Sequence, residues 1–292
     1  MYELIPVSER CYFVSCPSKI GIVVLDDGTA CTIDAGSDKD AAKKVKKHLD
    51  ANGWQLRAVY TTHSNADHIG GCKYLADQTG CEIYAPGIEC AFTRHPVLEP
   101  AYLYGGYPPK ALRGKFFMAE PSDAKLLTPE ALPAGLEIID LPGHFFDMVG
   151  YLTPDGTAYI ADCLSSAATL EKYGIGVVYD VAAYLDTLEK VKRLDAKIFV
   201  PSHAEPTADI APLCDLNAAK VREIAARIVS LCAEPITFDA LLAALFEAYG
   251  MRMTVEQHAL VGSTVRSYLA YLADAGEIEA QIDANRLVWV RR

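Results

Sequence analysis

The sequence has 292 residues, 51% hydrophobic and 22% charged, which suits one large domain with a small appendage and excludes a disordered chain. A formal net charge of -11 repels polyanions, so nucleic acid is a poor default partner. No apolar run reaches membrane-span length, no basic stretch followed by an apolar one stands among the first ten residues, and nine cysteines without a Cys-x-x-Cys pair fit neither a disulfide framework nor a zinc ribbon; a cytoplasmic chain with reduced cysteines is expected.

Short β-prone runs over residues 11–15, 19–25 and 29–34 open the chain, the last two joined by the turn Asp26-Asp27-Gly28. Helical spacing with a Lys-rich outer face follows over 37–52, then a strand over 56–61, a helix over 66–78 and a strand over 81–85. Between 96 and 133 Pro, Gly and Tyr accumulate without a period, which predicts a long surface loop or lid. Strands are expected again over 136–141, 149–153, 157–161 and 197–201, with a helix over 180–194 before the last. Strands interleaved with helices predict sheets packed between helix layers.

The end of the chain changes character. Helices are predicted over 215–232 and 238–249, and Thr254-Val255-Glu256-Gln257 is a capping-box match that opens another. Two strands, 277–282 and 286–290, flank the turn Asp283-Ala284-Asn285. Helices followed by a hairpin resemble a winged-helix module, which divides the chain into 1–235 and 236–292. Acidic residues outnumber basic ones in that module, so docking or formation of a homo-oligomer is expected of it rather than DNA binding.

The chemistry concentrates in Thr62-His63-Ser64-Asn65-Ala66-Asp67-His68-Ile69-Gly70-Gly71. In extended chain His63, Asn65 and Asp67 project from one side, and His68 joins them as the backbone turns helical. Imidazole and carboxylate are ligands for zinc, iron or manganese. Three later strand ends each offer another metal-capable residue: Gly143-His144, Ala161-Asp162 and Ser202-His203. Four of the seven histidines fall in these motifs, which packing alone does not produce.

The ordered set resembles the metallo-β-lactamase superfamily, whose signature is H-x-H-x-D-H followed by a Gly-His, an Asp and a final His. Thr32-Ile33-Asp34-Ala35-Gly36 is similar to that family's early Asp-x-Gly turn. The resemblance implies an α/β (α+β) fold, a four-layer αββα sandwich with one or two divalent ions at the sheet edge, zinc first and iron or manganese as alternatives. It would place His63 and His144 at the first metal, Asp67, His68 and His203 at the second, and Asp162 between them. Asn65 stands where the family has its second histidine. An amide oxygen is a weaker zinc donor than imidazole, so the first site is expected to be depleted.

The expected activity is hydrolysis of a small-molecule ester, thioester, lactone or phosphoester by a metal-bound hydroxide, with Asp67 and Asp162 as catalytic residues. Two other classes stay open: iron-dependent redox chemistry on the same fold, and a non-catalytic binding or regulatory protein. His48 and His258 read as surface or packing residues. His95 and Tyr102, Tyr104 and Tyr107 belong to the lid, where lining the entrance competes with packing it. Cys163 reads as a core filler.

Overall fold

The computed structural model describes residues 2–292. Its first sheet holds β1 (Leu4–Pro6), β2 (Cys11–Val14), β3 (Ile20–Val24), β4 (Thr29–Ile33), β5 (Gln55–Tyr60), β6 (Glu82–Ala85) and β7 (Ala124–Leu126), side by side in chain order. Tight turns make the pairings from β1 to β4 antiparallel. From β4 to β7 they are parallel, because α1 (Lys39–Asn52), α2 (Ala66–Ile69), α3 (Cys72–Thr79) and α4 (Glu89–Arg94) return the chain to the same edge. α1 shows how locally these boundaries are set. Asp38 caps its start by accepting from the Asp40 and Ala41 amides, Ala41, Ala42, Val45 and Leu49 form its buried stripe, and Gly53 ends it in a left-handed conformation.

The second sheet is built from β8 (Glu137–Asp140), β9 (Val149–Leu152), β10 (Thr157–Tyr159) and β11 (Ile198–Val200), in the order β11-β10-β9-β8. Alternation along the strands creates the layers. Phe13, Val23, Cys31, Ile33 and Tyr60 of the first sheet meet Val149, Tyr151, Tyr159 and Val200 of the second. On the outer face of the first sheet Ile20, Ile22 and Val59 pack on Val45, Leu49 and Leu75 of α1 and α3. Ala158 and Phe199, on the outer face of the second, pack on α7 (Val181–Val191) and α8 (Ala211–Leu231). The result is the expected sandwich of two sheets between two helix layers.

Three expectations need correction. The helix expected over 66–78 is two helices, because Gly71 passes so close to Ala35 that a Cβ there would lie 2.2 Å from its carbonyl oxygen. The stretch expected as a loop or lid is structured: it carries α5 (Leu98–Tyr104), two single turns of 3-10 helix and the edge strand β7. Proline within the first turn of α5, at Pro100, is compatible with a helix start. A short helix, α6 (Ala167–Tyr173), also follows Asp162, where none was expected.

After α8 come β12 (Ile236–Thr237), α9 (Phe238–Ala248), α10 (Val255–Asp274), β13 (Ile278–Asp283) and β14 (Arg286–Arg291), with β14 paired to both other strands. This region has no core of its own. Leu241, Leu242, Leu245, Val265, Tyr268 and Leu269 belong to the same buried cluster as Leu141, Cys163, Leu188 and Ile228. α10 also lies against α5.

Candidate metal centre

The site forms where strands of both sheets end. His63 and Asp67 follow β5, His144 follows β8, Asp162 follows β10 and His203 follows β11. These ends are held in uncommon backbone. Asp34 and Ala161 have φ of 65° and 50°, and Gly143 has φ of 119° with no room for a Cβ, which would lie 2.3 Å from the Tyr184 amide nitrogen. The Gly143 carbonyl accepts the amides of Tyr179 and Asp180, fixing the turn that carries His144.

Each imidazole is oriented through Nδ1 by a group that accepts. His68 donates to Asp34 Oδ2 at 2.8 Å, His144 to the Val177 carbonyl at 3.0 Å and His203 to the Pro17 carbonyl at 2.9 Å. His63 donates to Thr62 Oγ1 at 2.9 Å, whose own proton goes to Asp34 Oδ2 at 2.8 Å. With the proton on Nδ1, Nε2 of every neutral ring presents a lone pair. All four are aimed inward at two carboxylates.

The inward atoms fall into two groups, His63 with His144 and Asp162, and Asp67 with His68 and His203, with the ligand atoms of each group within 4.8 Å of one another. Asp162 lies between them, its Oδ1 3.2 Å from His68 Nε2 and its Oδ2 3.0 Å from His203 Nε2 and 3.7 Å from His144 Nε2. Asp67 Oδ2 lies 3.6 Å from His68 Nε2 and 3.7 Å from His203 Nε2 and accepts from Ser18 Oγ. Buried His63 Nε2, His68 Nε2 and Asp162 Oδ1 have no hydrogen-bond partner; the short His68 to Asp162 approach is out of alignment for one. Buried polar atoms are rarely left so, and converging imidazole nitrogens and carboxylates are the ligand set that a cation requires. The residues fit a divalent metal.

The electrostatics agree. Burial opposes charge on His68, but Asp162, Asp67 and Asp34 outweigh it and hold the ring well above its ordinary pKa. His203 is raised likewise, burial being overcome by Asp162. For His63 and His144 burial prevails and lowers the pKa. Asp162 is driven well below the carboxylate range: its burial is overcome by His203 and His68. Such a field favours positive charge between the rings.

The structure brings together all six strand-end residues, and it places Asn65 beside them, with Oδ1 3.1 Å from His144 Nε2. His95 is an exposed helix end, His258 lies 3.8 Å from exposed Asp239, and His48 hydrogen-bonds the Tyr2 carbonyl. Cys163 is buried. Tyr102 packs against Phe145, Phe146 and Tyr179, while Tyr104 and Tyr107 are exposed. Sequence reasoning missed Ser18, Glu89 and Glu99. Glu89 accepts from the Ser64 amide, the Ser64 hydroxyl and the Asp147 amide, and Glu99 accepts from Asn65 Nδ2. A cleft of about 1020 Å³, lined by Tyr102, Tyr179, Arg266 and Tyr271 among others, opens between α5 and α10, and no residue of the two groups lines it.

Residues 16–203 match the model of the metallo-beta-lactamase superfamily. The chain is 27% identical over 168 residues to a hydroxyacylglutathione hydrolase of Methylobacillus flagellatus, covering 57% of this chain and 53% of that protein. It is 32% identical over 168 residues to one of Bradyrhizobium sp. (strain ORS 278), covering 58% and 54%. The chain thus spans about half the length of these relatives. A metallo-beta-lactamase family protein of Thermus thermophilus superposes with a TM-score of 0.75 at 17% identity, over 98% of this chain and 100% of that one. A beta-lactamase domain protein of Burkholderia ambifaria gives 0.74 at 16% identity, over 99% and 95%. These two likenesses establish the fold over almost the whole chain, C-terminal region included.

Proposed function

The chain belongs to the metallo-β-lactamase superfamily, and from that premise we propose that it is a metal-dependent hydrolase acting on a small carbonyl ester, with a thioester as the first substrate class to try. One observation carries the reading: the Nε2 atoms of four imidazoles, each oriented through Nδ1 by an acceptor, converge with two carboxylates in two groups of ligand spacing. His63, His144 and Asp162 would hold one ion, and Asp67, His68 and His203 a second, with Asp162 shared. A divalent ion held there would supply Lewis acidity, lowering the pKa of water toward about 7 and polarising a carbonyl oxygen. Zinc is our first assignment, since N and O donors at tetrahedral spacing suit it.

The chain's own residues supply the rest. The four Nδ1 contacts hold the rings in one tautomer and one orientation, so no reorganisation is needed when charge develops. Asp67 is the more open of the two carboxylates, with 42% side-chain exposure against 8% for Asp162. Ser18 fixes its orientation, and it is placed to accept a proton from the attacking water. The thioester assignment follows the relatives, whose names state a hydroxyacylglutathione substrate. All nine cysteines are free thiols, which supports a reducing, cytoplasmic setting. Among the described residues no helix is long and apolar enough to cross a membrane. The β12-α9-α10-β13-β14 order supports reading residues 236–292 as a winged-helix-like module, and we assign it to association between copies.

The experiment is a hydrolase panel of S-acyl thioesters, carboxylic esters, lactones and phosphoesters, run before and after chelation. The proposal expects turnover of one carbonyl class that chelation removes and added zinc or manganese restores. Turnover indifferent to chelation would refute it.

A further inference from the structure

Asn65 stands where the family resemblance puts an imidazole, and its surroundings give its carboxamide one orientation. Nδ2 donates at 2.8 Å to Oε1 of Glu99, a buried carboxyl on α5. The Asn65 oxygen therefore points the other way, 3.1 Å from His144 Nε2. That ring has its Nδ1 proton on the Val177 carbonyl, so Nε2 is itself an acceptor. Two part-buried acceptors face each other, which is unfavourable unless a cation lies beside both. Donors sharing a tetrahedral ion with bonds of about 2.0–2.1 Å stand about 3.4 Å apart, close to the separation between these two atoms.

We propose that Glu99 is a positioning residue that fixes the Asn65 carboxamide with its oxygen inward, making that oxygen the fourth donor beside His63, His144 and Asp162. The inference rests on the metal-centre reading above. It replaces a depleted first site by a complete one of two imidazoles, one carboxylate and one amide oxygen. Such a set is harder than three imidazoles and a carboxylate, so it tolerates manganese or iron(II) better relative to zinc. It also explains why a carboxyl is buried on α5. Without Glu99 the amide is free to turn its nitrogen inward, where it offers no lone pair.

The test is equilibrium dialysis of the full chain against Zn²⁺ and Mn²⁺, for wild type, Glu99→Leu and the double variant Glu99→Leu with Asn65→His, each checked by circular dichroism. Two ions are expected in wild type. Glu99→Leu loosens one of them by tenfold or more, within the range seen when groups that orient metal ligands are removed, and leaves the other unchanged. The added imidazole, which needs no carboxyl to orient it, restores the lost affinity. Unchanged binding in Glu99→Leu overturns the proposal, as does a loss that histidine does not rescue. Should Glu99→Leu fail to fold, a crystal structure of wild type soaked in Mn²⁺ decides: Asn65 Oδ1 on the ion supports it, and an amide turned away overturns it. Asp162→Ala separates the two layers of argument. Ion loss there with Glu99→Leu silent overturns only the role of Glu99, whereas full ion binding in Asp162→Ala overturns the centre and the role together.

Discussion

At the scale of single residues, buried carboxyls around the site divide by what surrounds them. Asp34 ties two histidines together, directly at His68 and through Thr62 at His63. Glu89 is different: burial raises it to about 7 despite its hydrogen bonds from Ser64 and Asp147. A carboxyl raised in the folded chain binds its proton more tightly there than when unfolded. Stability from this group is therefore present at low pH and is lost as pH climbs from its ordinary 4.5 through about 7. Glu89→Gln removes that dependence. Between about pH 5.5 and pH 8 the stability of wild type relative to Glu89→Gln should fall by about 2 kcal/mol, as measured by denaturant melts at each pH. A constant difference would show that Glu89 does not titrate in this window.

At the scale of elements, the site depends on how strands end more than on what they contain. Gly143 is the sharpest instance, because both its positive φ and the approach of Tyr184 exclude a side chain. Gly143→Ala should lower stability by more than about 2 kcal/mol and weaken metal binding together, since the turn carries His144. Calorimetry beside metal titration checks this, and an unchanged melt would contradict it. The convergence of the candidate residues was legible in the sequence because each candidate sits just beyond a β-prone run, a local pattern that survives folding. Asp34 was legible only as a turn. Glu99 and Ser18 were not legible, because their partners Asn65 and Asp67 are 34 and 49 residues away and nothing local marks the pairing. The segment around α5 misled because Pro, Gly and Tyr suggest a loop, while tertiary contact with α10 and pairing of β7 with β6 order it.

At the scale of the whole molecule, the C-terminal region shares a buried cluster with the rest of the chain. Leu241, Leu242, Leu245, Leu269 and Leu272 share one buried cluster with α7, α8 and the outer face of the second sheet. α10 also buttresses α5, the helix that brings Glu99 to Asn65. Removing residues 236–292 would strip α9 and α10 from α7 and α8 and take away this support. The truncated chain should be aggregation-prone or melt far below wild type, with its oligomeric state altered, as light scattering and thermal melts will show. A soluble truncated chain with wild-type melting temperature and assembly would contradict both the shared cluster and the association role.

The central claim is that two groups of imidazoles and carboxylates, joined by Asp162, hold divalent metal. It is tested most directly by metal content on native-purified protein, wild type beside Asp162→Ala, by elemental analysis with protein quantified in the same sample. The account predicts two divalent ions per wild-type chain and loss of both from Asp162→Ala, because one carboxylate faces His68 and His203 on one side and His144 on the other. A wild-type chain that takes up no divalent ion, or an Asp162→Ala chain with its full complement, would contradict it.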